Sequence, residues 1–212
     1  MTTIVAVKTN KNIVIGSDSL LTQGTSKLAD TYNLAEKIFV IGNSCIGLSG
    51  STAHYTALIQ VLRNMGDACN LDHHDTIFET FTKAHKLLKD EFFLNPKKSA
   101  DDPYENNHIS AMIANGNGIY GVYAHREVLP FNCFWANGSG RPYALGAMHA
   151  SWGKNTNKNQ PGSMSAKDLA CAGLAAGIEF DRNSGGKMRL FEFQAGTLAP
   201  PTLLDQSVDS IE

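Results

Sequence analysis

The chain has little that would tie it to nucleic acid, membrane, metal or disulfide chemistry. Its 18 basic and 20 acidic side chains nearly cancel, so no net field draws it to DNA, RNA or an anionic bilayer. No stretch approaches the roughly 20 apolar residues of a membrane span. The opening MTTIVAV has no basic n-region ahead of a long apolar run, so a cytoplasmic location is expected. Cysteine is scarce: Cys45, Cys69, Cys133 and Cys171 are widely spaced with no CxxC pair, which fits reduced packing thiols better than a disulfide frame or zinc site. No HExxH occurs, and Ser51 breaks a GxSxG around Ser49. Gly138-Ser139-Gly140 lacks the third glycine of a dinucleotide loop, with Tyr143 at that place. Asp72-His73-His74-Asp75 offers ligand types, yet adjacent side chains rarely converge on one ion, so it reads as a solvated helix start and no metal is expected.

What is present is an ordinary globular composition, with 42% hydrophobic and 18% charged residues in 212. One domain is expected over 1–212, with 196–212 as a C-terminal extension. Thr3 to Lys8 and Ile13 to Gly16 read as a hairpin around Asn10-Lys11-Asn12, and Lys37 to Ile41 with Cys45 to Leu48 as a second pair around Gly42-Asn43-Ser44. A helix follows from Ser51 or Thr52 to about Met65, with Tyr55, Leu58, Ile59 and Leu62 on one face. A second helix should start with Asp75 as its N-cap and carry Ile77, Phe81, Ala84 and Leu88, ending before Pro96.

Strands resume at Ile109 to Ala114 and Gly118 to Ala124, turned by Asn115-Gly116-Asn117, and a further strand covers Phe131 to Ala136. Asn95 to Asn107 and Trp152 to Gly162 are loop-like, and Tyr143 to Ser151 takes no clear pattern. Ser165 and Asp168 form a capping box for a helix to about Phe180, and Lys187 to Gln194 is the last strand. Helices grouped between hairpin-connected strands point to antiparallel sheets layered with helices, an α+β fold without βαβ units.

The chemistry centres on the first residues. Methionine before threonine is readily cleaved, and cleavage would expose Thr2 with a free α-amine. A threonine hydroxyl needs a base to take its proton, and an N-terminal threonine carries one in its own amine, whose pKa of about 7.7 to 8.0 lies near working pH.

The segment TTIVAVKTNKNIVIGSDS resembles the opening of proteasome β-type subunits, within the N-terminal nucleophile hydrolases. The likeness continues in EKIFVIGNSCIGLSGSTA, in NGSGRPYALGA and in EFDRNSGG, four segments in order across nearly the whole chain. Within the family it is most similar to the bacterial proteasome homologues, which lack a propeptide. The resemblance implies a four-layer αββα sandwich, two antiparallel sheets between helices, with no cofactor. It implies that Thr2 attacks the scissile carbonyl and that Asp18 and Lys37 form a charged pair beneath it. Ser139, Asp181 and Ser184 would orient the amine and relay protons, Gly50 N–H would face the oxyanion, and Leu48 would floor a medium apolar specificity pocket. The interval from Asp18 to Lys37 carries an insertion, which leaves Lys27 as a rival lysine. The implied partners are copies of the chain itself, in stacked homo-oligomeric rings of about fourteen subunits, and a polypeptide substrate. An ATPase ring is not readable from one subunit. Two other functions stay open: a ring-forming amidase acting on a small amide, and a non-proteolytic ring for binding or scaffolding.

Overall fold

The computed structural model describes residues 2–28, 36–96, 103–152 and 164–204. The chain opens with β1 (Thr3–Lys8) and β2 (Asn12–Asp18), an antiparallel pair. Ile4, Val5, Ala6, Val7, Ile13, Val14 and Ile15 are all fully buried, because this hairpin is covered on both faces. Ile4, Ala6, Ile13 and Ile15 point into a core between two sheets, whereas Val5, Val7 and Val14 point into a core beneath helices. A strand covered on both sides has no use for polar alternation.

A short hairpin follows, β3 (Leu21–Gln23) and β4 (Ser26–Leu28), then β5 (Ile38–Ile41) and β6 (Ser44–Leu48). Helices α1 (Thr52–Asn64) and α2 (His74–Asp90) come next, joined by a single 3-10 turn at Gly66–Ala68. After them run β7 (Ala111–Asn115), β8 (Gly118–Val122), β9 (Val128–Phe131) and β10 (Phe134–Gly138). Helices α3 (Arg141–Trp152) and α4 (Ala166–Phe180), then β11 (Met188–Gln194) and β12 (Thr202–Leu204), complete the order.

The strands form two five-stranded antiparallel sheets, ordered β10-β1-β2-β11-β12 and β5-β6-β7-β8-β9. Leu58, Leu62, Ile77, Phe81 and Leu88 of α1 and α2 pack on the second sheet, and Met148, Leu169 and Leu174 of α3 and α4 pack on the first. This is the four-layer αββα sandwich. Between the sheets Gly47 of β6 faces Ile4 of β1, and a Cβ at Gly47 would stand 3.0 Å from Ile4 Cγ2. The absent side chain lets the sheets close at that point.

Several local expectations need correction. The N-cap of α2 is His73, not Asp75: His73 N–H donates to Thr76 Oγ1 at 3.2 Å, and Asp75 sits in the first turn, where its charge suits the helix dipole. His74 pairs with Asp75 and the Asp72 carbonyl accepts from Asn117, so the acidic and histidine run is spent on this helix start. The strand expected over Phe131 to Ala136 is two strands in different sheets, β9 and β10, and the chain crosses between layers at Asn132 and Cys133. Tyr143 to Ser151 is helical, within α3. Its composition hid it, because only Ala144 and Met148 are buried and no long apolar stripe marks the face. Ser165 and Asp168 do cap α4 reciprocally. Thr202–Leu204 returns to pair with β11. The four cysteines are free thiols, of which only Cys45 lies fully in a core. The loop expected over Trp152 to Gly162 and the end of the tail fall largely outside the described residues.

Candidate active site

Asp18 ends β2 where β1 begins, since the register sets Ile4 opposite Ser17. The strand edge therefore delivers Thr2 and Thr3 to the Asp18 carboxylate. Thr2 Oγ1 donates to Asp18 Oδ1 at 2.6 Å, and Thr3 N–H donates to the same oxygen at 2.9 Å. Lys37 comes from the other sheet, one residue before β5, and its Nζ lies 2.8 Å from Asp18 Oδ1. Asp18 Oδ2 accepts from Gly185 N at 2.9 Å and from Leu20 N at 3.3 Å. Thr2, Asp18 and Lys37 are 0%, 1% and 2% exposed. Burial pushes the Lys37 ammonium below its usual range, against the opposing attraction of Asp18 and, more weakly, Asp181. The rival Lys27 lies on β4, exposed and opposite Thr22.

A second polar group joins the first. Ser139 follows β10, Asp181 caps the C-terminus of α4, and Ser184 lies in the turn before β11. Both Ser139 Oγ, at 2.6 Å, and Ser184 Oγ, at 2.7 Å, donate to Asp181 Oδ2. Burial alone would raise the Asp181 carboxyl, but hydrogen bonds from Ser139, Ser184 and Asn183 outweigh it and hold the carboxyl below its usual range. Ser184 Oγ also shares a 2.7 Å bond with Thr3 Oγ1. Ser139 Oγ and Gly140 N reach the Thr2 carbonyl at 3.5 and 3.4 Å.

The glycines here are spatial requirements. Gly138 has φ +92°, and a Cβ on it would stand 1.9 Å from the Thr2 carbonyl oxygen. A Cβ on Gly140 would stand 1.9 Å from Thr3 Oγ1. Residues that sequence reasoning passed over are thus Thr3, Gly140 and Gly185. Each adjoins a residue already singled out, so adjacency was the available signal.

Gly50, at φ +120°, joins β6 to α1. Leu48, two residues earlier, donates its N–H to the Lys37 carbonyl at 2.9 Å, which ties the end of β6 to the backbone of Lys37. Leu48 also lines a cavity of about 360 Å³ with Tyr55, Leu88, Phe92 and Ile109, and His54 and His108 stand among its polar lining. Tyr55 is buried in this lining. Burial first, then the Asp18 carboxylate, push its phenol's pKa up.

The arrangement joins a hydroxyl, a carboxylate and a buried ammonium at hydrogen-bonding distance, with a backbone donor on the adjoining turn. Such a set can hold a proton, pass it and stabilise a developing charge.

Comparison with known proteins points the same way. The sequence is 28% identical over 151 residues to the ATP-dependent protease subunit HslV of Rickettsia bellii, covering 70% of this chain and 74% of that one. The solved structure of Thiobacillus denitrificans BPH in complex with epoxomicin matches with a TM-score of 0.80 and 32% identity, covering 93% of this chain and all of that one, 100%. HslV of Trypanosoma brucei shares the fold, with a TM-score of 0.66 at 19% identity over 91% of this chain and 99% of that one. The profile of the proteasome subunit family matches residues 1–192, and the chain belongs to that family.

Proposed function

We propose that the chain is a self-compartmentalised threonine-type peptidase in which Thr2, freed by removal of Met1, is the nucleophile. The observation that carries this reading is the shared Asp18 Oδ1, 2.6 Å from the Thr2 hydroxyl and 2.8 Å from the Lys37 ammonium. In this reading the buried Lys37 charge disfavours a second positive charge nearby, which keeps the Thr2 α-amine ready to accept a proton. Thr2 Oγ bonds to the scissile carbonyl carbon and its proton passes to the amine. The amine then returns a proton to the departing amino group as the peptide C–N bond breaks, leaving an ester on Thr2. Water hydrolyses that ester and restores the hydroxyl. Gly50 N–H faces the oxyanion, and the Ser139, Asp181 and Ser184 group fixes the strand end that bears the nucleophile.

Family membership supports assembly into stacked homo-oligomeric rings with the sites facing an inner chamber. Confinement of that kind would make broad peptide cleavage safe in cytosol. The test is turnover of fluorogenic peptides by wild type and a Thr2→Ala variant, read beside the N-terminal mass. Turnover lost in the variant supports the reading. A processed terminus with no peptide turnover transfers the assignment to small-amide hydrolysis or a non-proteolytic ring.

A further inference from the structure

Thr3 opens β1 on the face that carries Val5 and Val7, the face that packs beneath the helices. Two glycines one turn apart on α4 meet that face. A Cβ on Gly173 would stand 3.4 Å from Val5 Cγ1, and one on Gly177 would stand 2.5 Å from Thr3 Oγ1. Glycine in a helix interior is less favourable than alanine, so the space at Gly177 is kept for what it faces. Packing would be served by a third valine at position 3. The chain places a hydroxyl there instead, at 0% exposure.

The direction of the Thr3 hydrogen bond follows from its neighbour. Ser184 has one proton and donates it to Asp181 Oδ2 at 2.7 Å, so in the 2.7 Å contact between the two hydroxyls Thr3 is the donor. Ser139 Oγ donates to the same Asp181 oxygen at 2.6 Å, and the next residue, Gly140, donates its N–H to the Thr2 carbonyl at 3.4 Å. These bonds leave the backbone at the Thr2 carbonyl and return at the Thr3 side chain, one peptide unit along. They form a closed ring. The N–H of that same peptide unit donates to Asp18 Oδ1, the oxygen that takes the Thr2 hydroxyl.

We infer that Thr3 is a positioning residue for the nucleophile, its hydroxyl closing the ring that fixes the Thr2–Thr3 peptide plane and so the aim of the Thr2 hydroxyl. The inference rests on the peptidase reading above. Thr3 acts through Ser184 and Asp181 and touches no reacting atom. A tilt of the plane would swing the Thr2 hydroxyl and α-amine together, and a misplacement of about 1 Å costs about 100-fold in rate. Without the Thr3 hydroxyl Ser184 keeps its bond to Asp181 but loses its grip on β1, and the ring opens on that side.

Three substitutions separate the hydroxyl from its bulk. Thr3→Ser keeps the donor and drops the methyl, Thr3→Val keeps the shape and drops the donor, and Thr3→Ala drops both. Each is measured by fluorogenic peptide kinetics and by the rate at which a peptide vinyl sulfone labels Thr2, on enzyme shown by thermal melting to be folded. Thr3→Ser should stay within about threefold of wild type, while Thr3→Val and Thr3→Ala should lose about 10- to 100-fold in kcat and labelling rate, with KM within about twofold. If the valine methyl crowds Ser184 and prevents folding, Thr3→Ala carries the comparison. An alanine or valine variant as fast as wild type overturns the inference. So does a serine variant as slow as the alanine one, since the methyl then matters and the hydroxyl does not, and so does a loss confined to KM. A wild type that neither cleaves peptide nor takes the label removes the peptidase reading and this inference together, whereas an active wild type beside an equally active Thr3→Ala removes the inference alone.

Discussion

Asp18 and Gly185 stand 167 positions apart in the chain, yet Gly185 N–H donates to Asp18 Oδ2 at 2.9 Å. With Leu20 N on the same oxygen, that bond fixes the carboxylate's orientation. The other oxygen is left to Thr2, Thr3 and Lys37. The carboxylate that receives the Thr2 hydroxyl is therefore held by segments from the start and the end of the chain.

Thr2→Ala should reduce peptide turnover by at least about a thousandfold, as removal of a nucleophile does. The fold should persist, because Asp18 keeps Thr3 N, Leu20 N, Lys37 Nζ and Gly185 N as donors. Turnover above a tenth of wild type, measured on a purified and processed variant, would reject Thr2 as the nucleophile.

Lys37→Ala leaves a buried carboxylate without its cation, a change worth about 3–5 kcal/mol. The melting temperature should drop by about 10 °C for a chain of this size, and turnover should vanish. Lys27→Ala, on an exposed strand, should stay within about 0.5 kcal/mol of wild type. Thermal melts and peptide assays of the pair decide between the lysines, and a dead Lys27 variant beside an active Lys37 variant reverses the assignment.

Gly140→Ala and Gly138→Ala each force a methyl group to 1.9 Å from an atom of the first two threonines. In the first case that atom belongs to a buried β-branched side chain, in the second to backbone, so neither can yield cheaply. Both variants should lose more than about 2 kcal/mol and most turnover. Gly146→Ala, where a Cβ meets nothing within 4 Å, is the control and should be neutral or stabilising. Denaturant titration of the three would expose an error if they proved alike.

Asp181 has a folded-state pKa depressed by its hydrogen bonds. Its stabilisation is then complete above the ordinary carboxylate value, about 3.9, and is lost as pH falls through the lower folded value. The stability gap between wild type and Asp181→Asn should be about 1–3 kcal/mol near neutral pH and shrink below about pH 4. Denaturant titrations from pH 7 to pH 3 provide the measurement, and a gap that stays constant would remove the linkage.

Much of the layering was legible in the sequence because strands and helices alternate in blocks, and the turns at Asn115-Gly116-Asn117 and Ser165 carry their own chemistry. The helix at Arg141–Trp152 was not, since small residues pack it closely without an apolar stripe. Nor was the division of Phe131 to Ala136 between sheets, because a layer crossing leaves no period to detect. At the site, Asp18 and Lys37 were legible only through family likeness, since an aspartate at a strand end reads as surface. The roles of Thr3 and Gly185 came from neither source, because a backbone donor has no side-chain signature and Thr3 is masked by Thr2.

The approach of Gly47 to Ile4 has a further result. Thr2 and Asp18 ride on one sheet, while Lys37 and the Gly50 turn ride on the other, so the Thr2, Asp18 and Lys37 cluster spans two separate slabs. The side chains packed in the seam between them act as a shim, and the seam is tight at Gly47, where a Cβ would stand 3.0 Å from Ile4 Cγ2. Substitutions in that seam would thus shift the two slabs against each other and change the reach from Asp18 to Lys37 without altering either charged group.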